Sequence, residues 1–262
     1  MLKVITNLFP KSNRMRTFFF LLSSLLVSVF FTACDGEIII HFPTDIIQDS
    51  RVSDSTFQIL LDDSKLLCLN LYLNDESKEL KDIAIDESDV GPIVAALQMV
   101  FLDSLLQASQ EIREYQIHTL CPIQLHEGIL KSDTTNTYIN SWYHNGFSTH
   151  GLIDNYIYQY GIDLDSIGNN QYKYKSKIGI NYMALASELK KLPFVLDATS
   201  SSCIGDGSQI EIIDNTSDYI HLIYSYGWGD CPAGCIKRHY WEIGVYGSGI
   251  VELIAESGNN LP

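Results

Sequence analysis

The sequence predicts an α+β fold: a mainly antiparallel sheet with helices packed on one face, closing with a strand-helix-strand unit and a four-strand meander. Three observations carry this prediction. "QYKYKSKIGI" (171–180) alternates strictly, with Tyr172, Tyr174, Ser176, Ile178 and Ile180 on one face and Lys173, Lys175 and Lys177 on the other, the period of a half-buried strand. "NYMALASELKKL" then reads as a helix stopped by Pro193, and "FVLDAT" as the next strand. Finally "SQIEIID", "YIHLIYSYGW", "HYWEIGVY" and "GIVELIAES" follow one another at meander spacing, with Ile220, Leu222, Tyr224, Tyr226 and Trp228 predicted opposite Trp241, Ile243 and Val245.

Earlier elements follow from the same rules. "TFQIL" and "LLCLNLYLN" alternate around Asp62-Asp63-Ser64 and predict a hairpin with Phe57, Ile59 and Leu61 on one face and Leu67, Leu69, Leu71 and Leu73 on the other. "DIAID" predicts a short strand. Asp89 reads as an N-cap with Pro92 in the first turn of a long helix to about Tyr115, whose stripe is Ile93, Leu97, Val100, Phe101, Ser104, Ala108 and Ile112. Residues 116–146 give no clear pattern. A helix is predicted over Ser148–Tyr160, closed by Gly161. The domains predicted are therefore a signal segment (1–33), a tether (34–55), an N-terminal α+β region (56–145) and a C-terminal α+β region with a stapled hairpin (146–262).

The N-terminus directs the chain out of the cytoplasm. Arg16 precedes an apolar run from Phe18 to Phe31, the length of a signal h-region and too short to span a bilayer. Met15 opens a signal of ordinary proportions and is an alternative start. Phe31-Thr32-Ala33-Cys34 resembles the lipobox of bacterial lipoproteins, although Phe31 is bulkier than the family's usual Leu or Val. The resemblance implies cleavage before Cys34, its diacylation on sulfur and acylation of the new amine, palmitate-type chains that hold the protein on a membrane. It places the protein in the cell envelope, on the outer membrane of a Gram-negative type. Asp35 and Glu37 occupy the positions that steer sorting in that family. The alternative is an ordinary secretory signal cut at Ala33.

Four of the 17 basic residues precede Cys34 and all 32 acidic ones follow it, so the remainder carries 13 against 32, a net of −19. Phosphate backbones and anionic headgroups repel such a chain, which argues against nucleic-acid binding. About 228 residues remain after Cys34, enough for a substantial core.

"GWGDCPAGCIKRHYW" (227–241) concentrates the chemistry-bearing residues. Three readings compete. A disulfide between Cys231 and Cys235 closes a small ring over Pro232-Ala233-Gly234, as an exported chain permits. A metal site would use Cys231, Cys235 and His239, but its four-residue gaps lack a local fourth ligand. A nucleophilic cysteine would need His239 as base. The disulfide reading fits best. The segment also resembles a "GDCPxGC" element, followed by a His-Tyr-Trp strand, in uncharacterised secreted bacterial proteins; that resemblance implies a shared structural element and no activity. With Cys34 acylated, five cysteines remain: Cys121 and Cys203 are candidates for a second bridge, and Cys68, within an apolar segment, reads as a reduced, buried thiol.

Other candidates are weaker. His144 and His150 are six apart, which suits neither a helix face nor a strand face for joint ligation, and read as surface histidines. "DLDSIGNN" lacks the ligand spacing of an EF-hand, leaving only a weak calcium site at Asp163, Asp165 or Asp206 to consider, while Gly205-Asp206-Gly207 reads as a turn. Lys173, Lys175 and Lys177, with Lys190 and Lys191, form a basic island that reads as a solvent-facing or edge-guarding row. Tyrosines and Trp142 offer aromatic surface for a glycan or protein. No catalytic or metal constellation is assigned and no cofactor is expected. The functional expectation is a membrane-anchored, non-catalytic binding or scaffolding module with an unidentified protein or glycan ligand. The alternatives are an envelope hydrolase or metal-dependent enzyme around Cys231, Cys235 and His239, and an inhibitor presenting the hairpin tip.

Overall fold

The computed structural model describes residues 39–74, 82–119, 121–133, 135–202 and 205–262. The signal segment, Cys34 with Asp35 and Glu37, and Cys203 lie outside the described residues. The chain runs α1 (Asp54–Asn74), α2 (Glu87–Leu102), α3 (Gln107–Glu114), β1 (Glu127–Ser132), α4 (Thr137–Asn145), α5 (Gly151–Tyr160), β2 (Ile162–Gly168), β3 (Gln171–Ser176), α6 (Tyr182–Lys190), β4 (Val195–Ser200), β5 (Gln209–Asn215), β6 (Tyr219–Trp228), β7 (Lys237–Tyr246) and β8 (Val251–Gly258). The strands form two four-stranded antiparallel sheets, ordered β2-β3-β1-β4 and β5-β6-β7-β8. The α+β class, the strand-helix-strand unit β3-α6-β4 and the closing meander are as the sequence predicts.

The predicted hairpin at residues 56–74 is instead the single helix α1. Phe57, Leu60, Ser64, Leu67 and Leu71 recur at intervals of three and four, and Leu60, Ser64 and Leu67 are buried, which is the helical period. Leucine also favours helix where valine and isoleucine would favour strand. Asp62-Asp63-Ser64 is not a turn. Ser64 Oγ donates to the Leu60 carbonyl at 2.6 Å, and Asp63 is buried against the segment after α3. Two satisfied polar residues inside an apolar stripe thus imitate a loop.

The predicted long helix is two. Asp86, not Asp89, is its N-cap, accepting from Ser88 N at 2.9 Å; Asp89 lies in the first turn and accepts from the Tyr72 hydroxyl at 2.5 Å. At Asp103 the chain turns by 99°. The Asp103 carboxylate accepts from Leu105 N and Leu106 N, and Arg113 Nη1 donates to the carbonyls of Phe101 and Asp103, each at 2.6 Å. The apolar stripe survives the break: Ala108 and Ile112 on α3 are buried, whereas Ser104 is exposed in the turn. "DIAID" forms no strand, although Ile83 and Ile85 are buried. Isoleucine 83 offers its carbonyl to Asn181 N at 2.9 Å, and the Asn181 side chain caps α6 by accepting from Ala184 N.

Residues Ile40 to Pro262 form one compact unit with two hydrophobic cores. In the first, α1, α2 and α3 pack on the β5–β8 sheet around Leu97, Leu222, Trp241 and Ile243. Phe42 joins it from the segment before α1, its N–H bonded to the Ser217 carbonyl. In the second, α4, α5 and α6 cover the other sheet around Leu130, Trp142, Tyr174 and Leu185. Strand β1 lies between β3 and β4 and runs antiparallel to both, so those two run parallel with α6 as their crossover. Gly128 in β1 pairs with Tyr174, whose ring crosses it to donate to the Thr199 carbonyl at 2.9 Å. A Cβ at Gly128 would strike that ring. Gly161 closes α5 in the left-handed region at φ +62°.

Candidate functional site: the stapled hairpin tip

Strands β6 and β7 pair from Tyr219↔Tyr246 to Trp228↔Lys237. Ile220, Leu222 and Tyr224 oppose Val245, Ile243 and Trp241, the register that alternation predicts. The hairpin ends in a short 3₁₀ turn at Cys231–Ala233, and Cys231 and Cys235 are joined by a disulfide.

Further hydrogen bonds, centred on Asp206 and Arg238, fix the tip. Asp206 N donates to the Cys231 carbonyl at 2.8 Å, and Asp206 Oδ2 accepts from Cys235 N at 3.0 Å. Asp206 Oδ1 accepts from Gly207 N at 2.8 Å and from the Arg238 guanidinium. Arg238 Nη1 also donates to the Gly207 carbonyl at 2.7 Å and to Ser225 Oγ at 2.8 Å. The Arg238 guanidinium, then the two backbone N–H groups, hold the Asp206 carboxyl down at about 2. Gly205-Asp206-Gly207 is therefore more than a turn. It is a clamp that reaches from the β4–β5 connection to the staple, and its Asp–Arg pairing across 32 residues has no local signature.

The faces of the hairpin decide what the tip can do. Gly227 pairs with Arg238, and a Cβ on Gly227 would meet Cys235 Sγ, so the disulfide packs over the Gly227–Arg238 face. His239, next along the strand, points to the opposite face. It is buried there, with Nδ1 donating to the Asn259 carbonyl at 2.8 Å, the ring 4.4 Å from Trp241, and Nε2 3.2 Å from Glu256 Oε1 without hydrogen-bond alignment. Cys231, Cys235 and His239 do not converge, and both thiols are consumed in the bridge. Among the described residues no group of three or more His, Cys, Asp or Glu is placed to hold a metal ion.

The tip offers apolar surface. Pro232 and Ala233 are exposed, and Ile236 is 73% exposed. Behind it Tyr115, Tyr226 and Trp228 form a half-buried ladder, with centroids 4.6 Å and 5.6 Å apart along the series.

The remaining predicted groups are dispersed. Cys121 is disulfide-bonded; its expected partner, Cys203, lies outside the described residues. Cys68 is a buried thiol on α1. His144 is exposed on α4, whereas His150, the N-cap residue of α5, is half-buried between Tyr138 and Phe194. Asp165 pairs with Lys175 at 2.8 Å, Lys173 with Glu127 at 3.1 Å, Lys190 with Asp197 at 3.2 Å and Lys191 with Glu188 at 2.5 Å. Acidic partners therefore match four of the five lysines of the basic island, Lys173, Lys175, Lys190 and Lys191, and Trp142 is core, donating to the Ile162 carbonyl.

Sequence reasoning missed two histidine–carboxylate pairs on α1. His126 Nε2 lies 2.9 Å from Asp62 Oδ2, which raises the imidazole's pKa. His118 Nδ1 donates to Asp63 Oδ2 at 2.8 Å, while Asp63 Oδ1 accepts from Thr119 N and Oγ1. The absence of glycine and proline from Asp54 to Asn74 was the available sign that these aspartates sit on a helix. Compared with protein-family models, with curated proteins and with solved structures, the chain gives no match.

Proposed function

We propose that the protein is an acyl-anchored lipoprotein of the cell envelope, held on the outer membrane through Cys34, and that it acts as a non-catalytic binding module presenting the stapled tip to a protein or glycan. The observation that carries the binding half is the combination of rigidity and exposure at the tip. A disulfide, an Asp206 carboxylate and an Arg238 guanidinium fix the backbone while Pro232, Ala233 and Ile236 face solvent. Preorganisation of this kind reduces the ordering cost that binding must offset. The apolar run ending at Thr32-Ala33-Cys34 supports the anchor. Among the described residues no single helix is long and apolar enough to cross a membrane, and acyl chains do not require one. The exposed, rigid tip also favours a second reading, an inhibitor whose hairpin enters a partner's cleft.

Two arms test the proposal in intact cells. An alkyne-labelled palmitate should tag the protein, and Cys34→Ser should abolish the tag and release the chain from membranes. A photocrosslinking residue at Ala233 should give a discrete adduct that the same residue at exposed Tyr158 does not. Adducts from neither position, or equally from both, would remove the tip from the account.

A further inference from the structure

Helices α1, α2 and α3 and strands β5 and β6 line a cleft of about 410 Å³, a volume within the range of small-molecule sites, roughly 300–1,000 Å³. Its walls are apolar, formed among others by Leu60, Leu97, Phe101, Ile112, Ile210 and Tyr224. Arg113, Gln116 and His118 line it and no carboxylate does, in a chain where acidic residues outnumber basic ones 32 to 17.

Both candidate head-group ligands are held before anything binds. Arg113 is fixed by Nη1, which donates to the carbonyls of Phe101 and Asp103. Among the described residues it enters no ion pair, and its Nε and Nη2 make no hydrogen bond within the protein. His118 is fixed through Nδ1 by Asp63, a carboxylate only 3% exposed that Thr119 N and Oγ1 in turn lock. A carboxylate only accepts, so Nδ1 carries the donated proton and Nε2 is the atom left for a ligand. A histidine oriented by a buried carboxylate and lining an apolar cleft is the arrangement of a preorganised binding group.

From this cleft we infer a second binding site, independent of the hairpin tip, for a small carboxylic acid with an apolar tail. The tail lies along the α1–α2–α3 walls, and the carboxylate is taken by Arg113 and by His118 as the imidazolium, whose two ring nitrogens both donate, Nδ1 to Asp63 and Nε2 to the ligand. One guanidinium suits a monoanion better than a phosphate dianion, and it matches a planar carboxylate with two parallel N–H donors.

Isothermal titration of the full chain with 4-phenylbutyrate and its neutral isostere 4-phenylbutanamide tests the inference. The acid should bind one-to-one and at least tenfold more tightly than the amide. Arg113→Gln should erase that difference while leaving the amide's affinity unchanged, and Arg113→Lys should restore part of it. His118→Gln should weaken the acid at least threefold. Ile59→Trp, at an exposed wall position, should abolish binding of both compounds with an unchanged circular dichroism spectrum; should that variant not fold, Thr56→Phe serves at the same wall. Equal affinities for acid and amide, no binding of the acid to the wild type, or full binding by a folded wall variant would overturn it.

Discussion

Replacing Asp63 by alanine tests the least expected feature of the fold. Asp63 sits on α1 and is almost wholly buried. Its carboxylate accepts from Thr119 N at 2.8 Å, from Thr119 Oγ1 at 2.5 Å and from His118 Nδ1 at 2.8 Å. Alanine leaves the two Thr119 donors without a partner in a site water does not reach, at about 1–3 kcal/mol for each unsatisfied group. The His118 ring is partly exposed and can turn to water, so its loss adds little. Asp63→Ala should therefore cost about 3–5 kcal/mol, and Thr119→Val, which removes one donor together with its need, about 1 kcal/mol. Urea unfolding with disulfides intact, followed by the fluorescence of Trp241 in the same core, reads the change as a shift in midpoint at constant slope. If Asp63 were the exposed turn residue its flanking sequence suggests, alanine would fall within about 0.5 kcal/mol of wild type. A measured cost below 1 kcal/mol would refute the buried anchor.

Four shorter predictions accompany it. Replacing Cys231 and Cys235 by serine should lower stability by about 2 kcal/mol, the loop-entropy value for so short a ring, measured by the same unfolding; no change would mean the Asp206 clamp alone holds the tip. Gly161→Ala should cost about 1–2 kcal/mol, because the left-handed φ strains any Cβ while nothing lies within 4 Å to clash with it; thermal unfolding would show it. Asp206 has a folded pKa of about 2, depressed by Arg238, so its stabilisation is complete above the ordinary carboxylate value near ~4 and is lost as pH falls toward 2; Asp206→Asn should unfold with a flatter acid limb than wild type. His126 has a folded pKa raised chiefly by its hydrogen bond to Asp62, so its contribution is present below the ordinary imidazole value of about 6.5 and fades as pH rises through the folded value; Asp62→Asn should remove that alkaline loss.

Sequence and structure agree where local period and tertiary burial coincide. β3, α6, β6 and β7 each have one wetter and one drier face, and alternation or the 3.6-residue stripe reports it directly. The Gly161 cap is equally legible, because one backbone conformation selects one residue. Agreement ends where polar side chains are satisfied by distant partners. Asp63 and Ser64 look like loop residues until Thr119 and the Leu60 carbonyl are known, so a helix reads as a hairpin. Asp103 breaks the α2–α3 run through backbone bonds that its residue type allows but does not require. β2 escaped notice because "DLDSIG" is exposed over most of its length, leaving Ile162 and Leu164 as its only buried residues. At the tip the staple is legible from cysteine spacing in a chain whose N-terminus reads as an export signal, whereas the Asp206–Arg238 clamp and the separation of His239 from the thiols emerge only with strand register.

Non-reducing peptide mapping of the full chain purified from membranes, with reduced thiols blocked beforehand, tests the central claim most directly. The account predicts a Cys231–Cys235 linked peptide and an N-terminal peptide that begins at acylated Cys34. Blocked, unlinked Cys231 and Cys235 with zinc copurifying in equal amount, or an unacylated N-terminus, would contradict it.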